Sequence, residues 1–182
     1  MIVFEKPGKE NTEQTVKIAV QAARERGIRH LVIASSMGES ASLIPEVEGL
    51  NVAVVTMQHG SREPNTKAMP DEMRAKFEAK GWHVVCAAHA LSGAERGISK
   101  KFSGIYPVEI VAATLRMISQ GTKVAVEVAT MAADAGYVPS GEPIIAIGGS
   151  GRGSDTAIIL KAANSNNILD TKIEEILCKP YI

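Results

Sequence analysis

Residues 143–160 read PIIAIGGSGRGSDTAIIL, two apolar segments joined by a glycine-rich loop. Residues 143–147 are apolar throughout, which is typical of a strand covered on both faces of a sheet, and residues 155–160 form a second predicted strand. Four glycines fall within residues 148–153, although each costs roughly 0.5–1 kcal/mol relative to alanine. Successive amides in such a loop form an anion-binding nest, and Arg152 adds a fixed positive charge. An anion-binding loop is therefore favoured over a tight hairpin connection, although the spacing matches neither a Walker loop nor a dinucleotide-binding fingerprint.

Outward from this stretch, short apolar runs alternate with segments of helical periodicity. The other predicted strands are residues 2–4, 30–34, 51–56 and 83–86. The predicted helices are residues 12–26, a segment from the Ser-rich turn to about 48, and residues 71–80, 107–119 and 122–135. Residues 58–70 and 89–104 are predicted connections, and residues 170–178 form either a short helix or an edge strand. This alternation predicts an α/β fold with three layers (α/β/α) and a mostly parallel sheet.

Length and composition narrow the class of protein. The chain has 182 residues, 45% of them hydrophobic, which suits one domain spanning residues 1–182. Twenty basic residues balance twenty acidic ones, which argues against nucleic-acid and membrane-surface partners because both require a basic face. No apolar run approaches the length of a membrane span or a secretory signal, so we expect a cytoplasmic protein. Cys86 and Cys178 are expected to be buried thiols rather than a disulfide.

Polar residues concentrate where the predicted strands end, which is where parallel sheets bind ligands. Residues 35–40 (SSMGES) follow a buried strand. Free amides at a helix N-terminus bind anions, the hydroxyls add donors, and Gly38 permits close approach of the backbone. The alternative is an ordinary helix cap with a spare serine.

Two further connections contain titratable groups. His89 and Glu95 are candidate acid/base residues, and Arg96 could pair with a ligand anion; a capped turn with a Glu95–Arg96 surface pair is the alternative. His59 lies in a loop that could reach the same cleft, or in an ordinary loop. His30 and His83 fall at strand starts, on the opposite rim, and are expected to be structural.

The helix predicted at residues 122–135 carries two carboxylates on one face. Glu127 and Asp134 are separated by seven residues in a segment rich in alanine and valine. They are either buried and functional or, as we favour, engaged in capping or pairing at the helix surface. No His, Cys, Asp or Glu cluster has metal-ligand spacing, so we expect no metal site.

Several ordered segments between residues 12 and 160 resemble the C-terminal α/β domain of pyruvate kinase. Residues 30–40 (HLVIASSMGES) are similar to that domain's strand and its phosphate-holding loop. Residues 132–142 and 143–157 are similar to its helix end, strand, Gly-rich effector loop and following antiparallel strand. The resemblance therefore implies one antiparallel strand. Because it does not extend to the catalytic barrel, it does not imply pyruvate kinase activity.

The chain more closely resembles small stand-alone archaeal and bacterial proteins with this fold and no established activity. The similarity rests on residues 35–41 (SSMGESA), 89–99 (HALSGAERGIS), 126–136 (VEVATMAADAG) and 147–157 (IGGSGRGSDTA). It implies that flavin mononucleotide (FMN) can occupy the cleft, with its phosphate on a Ser/Gly loop. The predicted binding residues are Ser35, Ser36, Met37, Gly38, Ser40, His59, His89, Ser92, Gly93, Arg96, Gly148, Gly149, Ser150, Gly151, Arg152, Asp155 and Thr156.

These observations support three hypotheses about function. The leading one is binding of a phosphorylated small molecule, with FMN as the cofactor. The second is an enzyme that acts on a phosphorylated metabolite, with His89, Glu95 or His59 as acid/base. The third is a regulatory module that senses a ligand, and the sequence leaves homo-oligomerisation open.

Overall fold

The computed structural model describes residues 1–181, which contain one seven-stranded sheet. Its order is β1-β7-β6-β5-β2-β3-β4. Only β6 runs antiparallel to its neighbours, β5 and β7, so the predicted α/β class and its single reversed strand are confirmed. The strands are β1 (Ile2–Phe4), β2 (His30–Ala34), β3 (Asn51–Thr56), β4 (His83–Cys86), β5 (Pro143–Gly148), β6 (Thr156–Lys161) and β7 (Lys172–Pro180).

Helices cover both faces of the sheet. Alternation along β2 places Leu31 and Ile33 in one core cluster and Val32 in the other, as expected for a strand buried on both faces. Helices α1 and α2 pack on the first face, and α4 and α5 pack on the second. The helices are α1 (Thr12–Arg26), α2 (Asp71–Ala79), α3 (Gly93–Phe102), α4 (Pro107–Arg116) and α5 (Gln120–Asp134).

Helix α5 lies across the centre of the sheet, and its N-terminal end comes very close to β5. The hydroxyl of Ser119 caps the helix by accepting a hydrogen bond from the Thr122 amide at 2.9 Å. A Cβ atom on Gly148 would lie 2.2 Å from the carbonyl oxygen of Gly121, so only glycine permits this contact. The first turns of α5 are therefore fixed beside the carboxyl end of β5.

Three predictions about secondary structure are wrong. No helix extends to residue 48: only a short 3-10 turn, Ala41–Leu43, forms, because Pro45 disfavours helical backbone at Ile44, which is extended with ψ 120°. The connection predicted at residues 89–104 contains α3. The tail is neither a helix nor an edge strand, because β7 pairs with β1 and β6 in the sheet interior.

The two cysteines form no disulfide, and His30 and His83 contact neighbouring side chains. Cys86 and Cys178 are free thiols. Cys178 is fully buried, but Cys86 is only half-buried, so the expectation of burial is wrong for Cys86. His30 lies 3.0 Å from the side-chain amide of Asn51, and the ring of His83 stacks on Tyr137. Within residues 1–181, no helix is both long and apolar enough to cross a membrane.

Candidate functional site

A cavity of about 350 Å³ opens beyond the carboxyl ends of β2, β3 and β5. The chain proceeds from β2 to β3 and β4 on one side, whereas β5 lies on the other. The cavity therefore lies at a topological switch point, where α/β sheets bind their ligands. We call it the central cavity. It is lined by Ser35, Ser36, Met37, Glu39, Ser40, Val55, Thr56, Met57, Arg62, His89, Ser92, Arg96, Arg116, Gln120, Lys123, Val124, Glu127, Val128, Gly149, Arg152, Gly153 and Ala34.

The Ser-rich loop after β2 forms one wall of the central cavity. The buried Ser35 hydroxyl accepts a hydrogen bond from the Ala41 amide at 3.2 Å, and the Thr56 hydroxyl donates to the Ser36 carbonyl at 2.6 Å. These contacts fix the backbone, while the side chains of Ser36 and Met37 are exposed. Gly38 is not among the lining residues; it has φ +96°, and a Cβ atom there would collide with Met73.

The Gly-rich loop after β5 forms the second wall, but only part of it reaches the cavity. The residues of this loop that line the cavity are Gly149, Arg152 and Gly153. Gly148 is buried against α5 instead. Ser150 and Gly151 are not lining residues.

Two residues that we predicted as ligand contacts lie beneath this loop. Asp155 and Thr156 are fully buried and do not line the cavity. The Asp155 carboxylate accepts hydrogen bonds from the Gly8 amide at 3.1 Å and from the Thr156 hydroxyl at 2.9 Å. The Thr156 hydroxyl also lies 3.2 Å from that of Ser119. These hydrogen bonds connect the loop to the N-terminal segment and to α5, so Asp155 and Thr156 have a structural role.

The lining is strongly basic although the whole chain carries no net charge. Arg62, Arg96, Arg116 and Arg152 lie on the rim and are exposed, whereas Lys123 is buried. Two carboxylates, Glu39 and Glu127, share the lining. Converging guanidinium groups beside free hydroxyls are well suited to bind a phosphate or carboxylate.

A buried ion pair lies on the wall formed by α5. The ammonium of Lys123 donates to Oε2 of Glu127 at 2.5 Å, and the two residues are 5% and 2% exposed. Oε1 of Glu127 accepts a hydrogen bond from the Leu91 amide at 3.0 Å. Nδ1 of His89 lies 3.6 Å from Oε2 of the same carboxylate. The expectation that Glu127 pairs at the helix surface is wrong: it pairs in the interior.

Burial lowers the pKa of Lys123, and the charges of Arg116 and Arg96 lower it further, while the carboxylate of Glu127 opposes the shift. A buried ammonium group has lost its hydration, which disfavours the charged form relative to the neutral amine. Nearby cations repel it and add to this effect. Perturbed amines that line a cavity are frequent at functional sites.

Three other predicted site residues lie away from the central cavity. Glu95 accepts a hydrogen bond from the Glu109 amide at 3.1 Å, so it caps the start of α4 and forms no ion pair with Arg96. Gly93 and Glu95 line a second, neighbouring cavity of about 420 Å³ instead. His59 is exposed and is not a lining residue, whereas Arg62 from the same loop is. Of the predicted acid/base candidates, only His89 reaches the cavity.

Lys123, Arg116 and Gln120 were not among the site residues predicted from the sequence. One signal existed: Lys123 and Glu127 have i, i+4 spacing in a helix rich in alanine and valine. Asp134, on the same face, lies at the surface, where it accepts hydrogen bonds from Asn164 and Ser165. Among residues 1–181, no group of three or more His, Cys, Asp or Glu side chains is arranged to hold a metal ion.

Comparison with known protein families agrees with this architecture. The family model described as the pyruvate kinase alpha/beta domain matches residues 13–160. The match extends from α1 through β6 and includes both the Ser-rich and the Gly-rich loops. The chain belongs to this family.

Proposed function

We propose that this member of the pyruvate kinase α/β-domain family binds a phosphorylated small molecule in the central cavity, with FMN as the leading candidate. The observation that carries the proposal is the location of four arginines around a cavity with serine hydroxyls. A protein with zero formal charge has no general excess of cations to account for this local concentration.

The phosphate group is expected between the two loops. Ser36 offers a free hydroxyl on one side, and Arg152 offers a guanidinium on the other. Arg62 approaches from the connection after β3. Charge-assisted hydrogen bonds of this kind are about twice as strong as neutral ones, so the phosphate would supply a large part of the binding free energy.

The remaining lining fits a flavin ring as well. Met37, Met57, Val55, Val124 and Val128 supply apolar surface, and thioether side chains adapt well to aromatic rings. The volume of about 350 Å³ lies within the range of roughly 300–1,000 Å³ typical of small-molecule sites. When bound, FMN supplies hydride and single-electron transfer; the chain would bind and orient it.

The experiment begins with the visible absorption spectrum of freshly purified protein, followed by titration with FMN. We expect a flavin band or saturable binding. Ser36→Asp places a carboxylate beside the expected phosphate and should weaken binding by roughly tenfold or more, because like charges at a desolvated site repel strongly. The control is Ser140→Asp, which adds the same charge before β5, at the end of that strand opposite the cavity. This substitution also removes the hydrogen bond that the Ser140 hydroxyl donates to the Ala162 carbonyl.

Each result has a definite meaning. Binding lost in Ser36→Asp but retained in Ser140→Asp supports a phosphate site at the Ser-rich loop. Equal weakening by both substitutions removes that assignment. Absence of a band and of saturable binding contradicts FMN, and a thermal-shift screen of sugar phosphates then tests the broader ligand class.

A second function, turnover of a phosphorylated metabolite, is favoured by one observation. His89 lines the central cavity, and its Nδ1 lies 3.6 Å from the buried carboxylate of Glu127, so an imidazole and a carboxylate, both groups used in proton transfer, lie side by side there. His89→Ala should abolish such turnover while FMN binding persists. Loss of both would assign His89 to binding instead.

A further inference from the structure

One buried amine in the central cavity has no role in the binding of phosphate by the two loops. Lys123 lies on α5 in the second turn of the helix, and its ammonium has one hydrogen-bond acceptor, Oε2 of Glu127 at 2.5 Å. A lysine ammonium carries three donors, so this pairing leaves two N–H bonds uncommitted. The side chain is 6% exposed, and the residue lines the cavity.

A buried ion pair is seldom retained for stability alone. Replacing such a pair by apolar residues of similar volume is often neutral or stabilising, because desolvation offsets the attraction. By contrast, the side chains of Lys161 and Glu174 are about two-fifths exposed, and their charged groups lie 3.1 Å apart. This second pair lies on the sheet, away from the cavity. The location of the Lys123–Glu127 pair beside a basic cavity therefore indicates a chemical task.

The surroundings of Lys123 favour an amine that can lose its proton. Burial, Arg116 and Arg96 all disfavour the ammonium, whereas Glu127 favours it. Glu127 is in turn held by the Leu91 amide, and Nδ1 of His89 lies 3.6 Å from its Oε2. The amine therefore has a carboxylate and an imidazole nearby to receive a proton and return it.

We propose that the central cavity captures phosphorylated aldehydes or ketones covalently, with Lys123 as the nucleophile that forms an imine with the ligand carbonyl. This inference rests on the proposed binding of phosphate, since the loops would hold the phosphate while the carbonyl reaches α5. His89 acts as the proton-transfer residue, and Glu127 positions both side chains.

The chemistry balances without an external oxidant or reductant. Lys123 first transfers a proton to Glu127 or His89, and the neutral amine then attacks the carbonyl carbon. The new C–N bond forms as the C=O π bond breaks, and the stored proton goes to the carbonyl oxygen to give a carbinolamine. The nitrogen of this carbinolamine is still cationic and passes a proton to Glu127 or His89, which delivers it to the hydroxyl. Water then leaves while the freed nitrogen lone pair forms the C=N bond, and the resulting iminium keeps one N–H proton. The net change joins lysine to carbonyl and releases one water molecule.

Pyridoxal phosphate is a suitable probe because it combines an aldehyde with a phosphate and absorbs visible light. The wild-type protein is incubated with one equivalent, reduced with borohydride, digested, and mapped by mass spectrometry. We expect the adduct predominantly on Lys123, and about tenfold less of it with pyridoxal, which lacks the phosphate contacts. Inorganic phosphate should suppress the adduct.

Two variants test the assignment further. Lys123→Arg should lose the adduct while keeping the buried cation, and Lys161→Arg, in the exposed pair, should leave labelling unchanged. Because mapping uses the wild-type protein, a failure of Lys123→Arg to fold does not affect the main result. Labels spread over exposed lysines, with Lys123 unmodified, would overturn the inference.

The outcomes separate this inference from the proposed function. If pyridoxal phosphate displaces FMN or phosphate but leaves no reducible adduct on Lys123, the imine is refuted and phosphate binding stands. If Lys123 reacts equally well with pyridoxal and phosphate gives no protection, the phosphorylated ligand class is refuted, and the proposed function with it.

Discussion

Replacing Lys123 by methionine should reveal how strongly the buried ion pair is coupled to the fold. Lys123→Met removes the cation and leaves the Glu127 carboxylate 2% exposed, with the Leu91 amide at 3.0 Å as its remaining hydrogen-bond donor. Breaking a buried pair on one side costs about 3–5 kcal/mol. A domain of this size loses about 2–4 °C in Tm for each kcal/mol, so Tm should fall by roughly 6–20 °C.

The control is Lys161→Met, which breaks an exposed Lys–Glu pair and should cost about 0–1 kcal/mol. The double substitution Lys123→Met with Glu127→Gln removes both charges and keeps an acceptor for the Leu91 amide, so it should recover much of the loss. Urea unfolding followed by circular dichroism gives the free energies by linear extrapolation. A Lys123→Met protein within about 1 kcal/mol of wild type would refute the reasoning.

Three other predictions concern the loops and the buried thiol. Gly153→Ala should weaken FMN binding and destabilise the fold more than Gly151→Ala does, as measured by titration and equilibrium unfolding. A Cβ atom on Gly153 would lie 2.3 Å from neighbouring backbone, whereas one on Gly151 meets open space and is strained only by the left-handed φ of +56°. Equal effects would contradict this packing. Burial raises the pKa of the Cys178 thiol from its ordinary value of 9.0 to about 11, so the folded state holds this proton more tightly than the unfolded state does. The protonated thiol therefore contributes stability below pH 9, and that contribution is lost as the pH rises through 11. The unfolding free energy of wild type relative to Cys178→Ala should therefore fall by about 2–3 kcal/mol across that range, and a constant difference would refute the shift. Glu95→Ala should cost about 0.5–2 kcal/mol, as loss of a helix cap does, yet leave FMN affinity unchanged in titration; a large loss of affinity would return Glu95 to the site.

Patterns of hydrophobicity were sufficient to predict most of the sheet. The apolar runs at residues 30–34 and 51–56 predict buried strands, and in the structure both lie inside the sheet with a paired strand on each side. The tail could not be assigned from its own residues, because the partners that make β7 an interior strand, β1 and β6, are distant in sequence. The absent helix before residue 48 shows that Pro45 outweighed the serine cap.

The candidate site was predictable only where a motif marked it. The Ser-rich and Gly-rich loops line the cavity because both follow parallel strands on either side of the switch point. Asp155 and Thr156 belong to the same motif, but they face the interior, which spacing alone does not reveal. Lys123 and Arg116 come from helices, and their approach to the cavity depends on how α4 and α5 pack.

A paired titration of the wild-type protein with FMN and with riboflavin, which differ only in the phosphate, tests whether the central cavity binds a phosphate group. Binding to the basic lining predicts that FMN binds at least about tenfold more tightly, and that this advantage shrinks as salt is added. Equal affinities for the two flavins at low salt would contradict a phosphate site in the central cavity.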